Sequence, residues 1–116
     1  MGEIPPFNKN ELWVIEKTLE ERYGQPVETE IAEAELRLNP HSTQLNVCPT
    51  LFWQAQGANF AIFKTGEGRY RSMFYYSIRE QYGTGIDEYT DLTECVVTLL
   101  QVQADHEADR RKAQGE

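Results

Sequence analysis

The sequence predicts an α+β domain built as a helix, a four-stranded antiparallel meander and a second helix, with both helices on one face of the sheet. Three observations carry this. Helix-capping residues open an amphipathic segment near each end, the residues between them shift to period-two alternation, and short turn-forming stretches punctuate that alternation.

Near the N-terminus Ile4-Pro5-Pro6-Phe7 reads as an extended lead-in, because consecutive prolines lack backbone donors and resist helix. Asn8 and Glu11 are spaced as a capping box, and Phe7 stands where a hydrophobic staple would reach Leu12. Leu12, Ile15, Leu19 and Tyr23 then recur at helical spacing, so the first helix is expected over Lys9 to Tyr23, with Gly24 and Pro26 ending it. Trp13 lies about 100° off that stripe. It is expected either at the margin of the core or as an exposed anchor for a partner.

From Ala32 to Leu38 small or apolar residues alternate with Glu33, Glu35 and Arg37, the pattern of a half-buried strand. A helical reading through Val27, Ile31, Ala34 and Leu38 competes with it, and the strict alternation favours the strand. Asn39-Pro40-His41-Ser42 forms a turn. Leu45, Val47, Leu51, Trp53 and Ala55 share one parity of a second strand, in which Pro49 requires an edge or a break. Gln56-Gly57 turns the chain into a third strand, Asn59 to Lys64. Thr65-Gly66-Glu67-Gly68 is the strongest hairpin signal. The fourth strand follows over Arg69 to Ile78, sending Tyr70, Phe74 and Ile78 inward and Arg69, Arg71, Tyr75 and Arg79 outward. Residues 79–89, with Gly83 and Gly85, read as a loop of the kind that carries function. Asp91 and Glu94 then cap a second helix from about Leu92 to Arg110, its stripe formed by Leu92, Val96, Leu99 and Leu100.

A single domain over 1–116 is expected, with an ordered core of about 8–108 and mobile ends at 1–7 and 109–116. The net charge of -8 argues against nonspecific coating of nucleic acid or anionic lipid, which needs clustered cations. No signal peptide or membrane-spanning run is apparent, and the only two cysteines, Cys48 and Cys95, read as reduced core residues of a cytoplasmic protein. No metal-ligand spacing includes His41 or His106, no nucleophile has a neighbouring base in sequence, and no cofactor is expected.

The function expected is therefore that of a noncatalytic binding or regulatory module. Arg69, Arg71, Tyr75 and Arg79 on an open sheet face, with Tyr82, Gly83 and Gly85 of the loop, would contact a protein partner or a small anionic ligand. Two alternatives stand beside it. One is a small enzyme or ligand-pocket protein with an apolar cavity lined by Trp53, Phe60, Tyr76 and Leu99 between the sheet and the second helix. The other is an acidic nucleic-acid mimic using Glu28, Glu30, Glu33 and Glu35. A meander has two edges to cover or pair, so monomer and homodimer are both open.

Overall fold

The computed structural model describes residues 4–113. Helix α1 (Lys9–Tyr23) leads into strands β1 (Glu30–Leu36), β2 (Asn46–Ala55), β3 (Ala58–Gly66), β4 (Arg69–Ser77) and β5 (Glu80–Tyr82), followed by helix α2 (Leu92–Ala113). Every strand is antiparallel to the next, in the order β1-β2-β3-β4-β5. The outermost parts of the expected mobile ends, residues 1–3 and 114–116, lie outside the described residues.

The sheet has five strands rather than four. The fifth arises inside the segment expected to be a loop, because the β4 register shifts between Tyr75 and Ser77 and the chain doubles back to pair Glu80, Gln81 and Tyr82 with β4. The same turn places Ile78 at 87 % exposure, correcting its expected place in the core. A strand of three residues is too short to show any period, so the sequence carries no signal for it.

Local chemistry accounts for the other boundaries. Asn8 Oδ1 accepts from the Glu11 amide and Glu11 Oε1 accepts from the Asn8 amide, both at 2.8 Å, so the box caps α1 reciprocally. Gly24 ends α1 in the left-handed region at φ 76°. Gln56 at φ 53° and Gly57 at φ 80° give the two positive dihedrals of a type I′ hairpin between β2 and β3. Residues 30–36 are strand, so alternation outweighs the helix propensity of their Glu and Ala.

Both helices cover one sheet face. Ile15 and Leu19 of α1 and Cys95, Val96, Leu99 and Leu100 of α2 meet Leu51, Trp53, Phe60, Ile62, Tyr70 and Phe74 of β2, β3 and β4 in one core. Phe7 joins that core, and Pro6 O accepts from Lys64 Nζ at 3.1 Å, so the lead-in is tied to the sheet from Pro6 onward. Helix α2 continues to Ala113, past its expected end, because its last turns dock on Tyr76: Gln103 donates to the Tyr76 hydroxyl, that hydroxyl donates to Glu107, and the Arg110 guanidinium lies 4.1 Å from the ring centroid. Among the described residues no helix is long and apolar enough to cross a membrane.

Candidate functional site

Strand register sorts the helix-free face into rows. Gln54, Asn59, Tyr75 and Gln81 form one row across β2 to β5. Glu30, Phe52, Ala61 and Met73 form the next, and Ala32, Thr50, Phe63 and Arg71 a third. At Thr50 and Phe63 the third row is closed from above. Arg71 Nη2 donates to Leu38 O at 3.3 Å, although β1 and β4 stand three strand spacings apart, about 14 Å in a flat sheet. The chain just after β1 therefore curls over the face, and Cys48 and Thr50 beneath it are fully buried.

Beside it lies a groove of about 840 Å³ that reaches from the first two rows to Ala32 of the third. Ala32, Phe52 and Tyr75 form its floor, Gln54 and Asn59 one polar side, and Glu28 and Glu30 an acidic rim. The amides are already oriented. Gln54 Nε2 donates to Asn59 Oδ1 at 2.7 Å, and Asn59 Nδ2 donates to Tyr75 O at 3.3 Å. Carboxylates beside aromatic faces attract cations, the first by charge and the second through the ring quadrupole.

The residues expected to bind are dispersed. Tyr75 lines the groove, whereas Arg71 is half-buried, tied to Leu38 O, and has an Nε buried without a partner. Arg69 opens β4 and Arg79 follows its far end, and both are exposed. The nine residues of β4 set the two ends of the strand roughly 27 Å apart. Tyr82 pairs with Phe74 and so belongs to the helix-bearing face, where its ring centroid lies 4.2 Å from that of His106. Gly83 and Gly85 are exposed in a loop that is pinned at its end, since Tyr89 exchanges backbone hydrogen bonds with Tyr70 at 2.7 and 2.9 Å.

Of the residues expected to line a cavity under α2, Phe60 and Leu99 are fully buried and Trp53 stacks on Phe60 at 5.1 Å. The groove touches Trp53 and Phe60, but neither Tyr76 nor Leu99. Glu33 and Glu35 project from the face opposite Glu30, so the four acids 28, 30, 33 and 35 do not share one surface.

Several ionisable groups are buried within the fold. Glu11 is buried between Lys64 Nζ at 2.8 Å and the Tyr70 hydroxyl at 2.5 Å. Burial alone would raise its carboxyl, but hydrogen bonds from Lys64, Tyr70 and the Asn8 amide outweigh it and hold the group below its ordinary value. Burial pushes the Cys95 thiol up to about 12 and raises Cys48 as well, partly opposed there by Arg71, so both stay protonated at neutral pH. Cys48 lies under the curled connection and Cys95 on α2, on opposite sides of the sheet. Among the described residues no three His, Cys, Asp or Glu side chains converge as a metal site.

The sequence alone points to Tyr75 but not to its groove partners Phe52, Gln54 and Asn59. The one signal along the chain is Phe52, an aromatic on the otherwise polar parity of β2. Comparison with protein-family models, with curated proteins and with solved structures found no match.

Proposed function

We propose that this chain is a noncatalytic binding module whose helix-free sheet face receives a basic side chain of a protein partner in the groove between Glu28, Glu30, Phe52 and Tyr75. The observation that supports it is the groove: with a volume of about 840 Å³ on the helix-free face, it joins carboxylates to aromatic surface. Guanidinium or ammonium groups fit that chemistry better than anions do, because the arginines that would attract an anion are spread along β4 or engaged with Leu38. Two buried, unpaired cysteines suit a reducing compartment such as the cytoplasm.

Titration of the isotopically labelled chain with benzamidinium, a small flat cation, tests the reading. Saturable shifts at the amides of Phe52, Asn59 and Tyr75 are expected. The double variant Glu28→Gln/Glu30→Gln should weaken binding about fivefold, corresponding to about 1 kcal/mol for exposed carboxylates. A groove that ignores benzamidinium, or that responds instead to benzoate, removes the proposal.

A further inference from the structure

The two edges of the sheet are not equivalent. On the β4 side, β5 pairs with Phe74, Tyr75 and Ser77, and Tyr89 bridges to Tyr70 further along the same edge. What remains outermost there is a strand of three residues. On the other side β1 presents seven residues in unbroken register with β2, without a bulge, and no strand lies beside it among the described residues. Its sequence, Glu30 to Leu36, contains no proline, so no backbone donor of the edge is removed, and the charges that guard it against nonspecific pairing are all of one sign: Glu30, Glu33 and Glu35. Alternate N–H and C=O groups of such a strand point outward, available to an incoming chain.

The side chains say which chain fits. On the surface beyond the reach of the helices, Ile31 and Val47 are 60 % and 50 % exposed, alternating with Glu33 and Glu35. On the other surface Glu30 stands at the rim of the groove, and Ala32 and Ala34 leave room for larger neighbours. An added strand would set its residues directly across from these, where opposite charges stabilise by about 0.2–1 kcal/mol per pair and like charges destabilise. A second copy would bring the same glutamates and the same net charge of -8 to the edge.

We infer that the outer edge of β1 is a docking site for an extended basic segment of a partner protein, which pairs as a sixth antiparallel or parallel strand with Lys or Arg beside Glu33 and Glu35. The inference deepens the proposed function, since that segment passes the groove and can place one basic side chain in it. It also stands apart from that reading, because backbone pairing along β1 does not require the groove to be filled.

The probe is a blocked seven-residue peptide of alternating lysine and valine, added to the full chain while amide hydrogen exchange is followed. Saturable binding is expected, with at least tenfold slower exchange at alternate amides within 30–36. N-methylation of alternate peptide residues should weaken binding at least tenfold when it falls on the pairing edge and leave it unchanged on the other. The exposed-site variant Glu33→Lys/Glu35→Lys should lose the lysine peptide at least tenfold and accept one of alternating aspartate and valine. Equal binding by both N-methylated peptides, or slowed exchange at 80–82 instead of 30–36, overturns the inference. So does slowing of 30–36 by concentration-dependent dimerisation without peptide, which makes a second copy the occupant. If β1 is protected while benzamidinium leaves the groove unmoved, the edge stands and the groove reading falls. If the groove shifts while β1 stays unprotected, the groove stands and the edge falls.

Discussion

Glu11, Lys64 and Tyr70 form a hydrogen-bonded set within an otherwise apolar core, with Lys64 and Tyr70 opposite one another across β3 and β4. Removing one member of a buried ion pair strands the other, so Glu11→Gln and Lys64→Met should each cost about 3 kcal/mol in urea unfolding. The double variant should cost clearly less than their sum, and simple additivity would show that the pair is not coupled. The carboxyl is held below its ordinary 4.5, so its contribution is complete above that pH and is lost as pH falls through the folded value. Acid unfolding of Glu11→Gln should accordingly show a shallower loss of stability below pH 4.5 than the parent chain. At the cysteines, the raised thiols of Cys48 and Cys95 predict no reaction with a disulfide reagent at pH 8 in the native protein and labelling of both in denaturant. Sequence spacing assigns Glu11 to the capping box but cannot supply its other partners, because Lys64 and Tyr70 are 53 and 59 residues away. Only the tertiary fold brings them together.

Elements defined by local rules are the legible ones. The span of α1 follows from Asn8, Glu11 and Gly24, whose contacts lie within one or two turns, and the β2–β3 and β3–β4 hairpins follow from Gly57 and Gly68. The end of α2 does not, since Gln103, His106, Glu107 and Arg110 look like solvated surface until Tyr76 and Tyr82 are placed against them. Tyr76→Phe removes the hydroxyl shared by Gln103 and Glu107 and should cost about 1 kcal/mol. Amides of residues 106–113 should then exchange faster while those of α1 do not; unchanged exchange would show that the hydroxyl does not hold the helix end. The β2–β3 turn offers a change of opposite sign. A glutamine is strained at positive φ, and Asn-Gly is the favoured type I′ pair, so Gln56→Asn should stabilise by roughly 0.5 kcal/mol, measured as a raised unfolding midpoint.

At the scale of the whole molecule, a net charge of -8 on 116 residues places the folded state under self-repulsion. Raising ionic strength from about 0.01 to 0.3 M shortens the screening length from about 30 to about 6 Å and should raise the thermal midpoint. A midpoint that falls with salt would show that exposed ion pairs such as Lys17–Glu20 outweigh the repulsion. The α+β class is legible because alternation, capping and turn chemistry are written along the chain. The groove is not: it depends on cross-strand register, which sets residues 30, 52, 59 and 75 side by side although no short sequence window contains them.

The tie between Tyr70 and Glu11 makes α1 dependent on the sheet. Lys64 and Tyr70 lie 53 and 59 residues further along the chain, so until β3 and β4 stand beside α1 Glu11 lacks two of its hydrogen-bond donors and the Ile15–Leu19 stripe has no sheet to cover it. Pairing of β3 with β4 is thus the step at which α1 can first bury both its apolar stripe and its carboxylate.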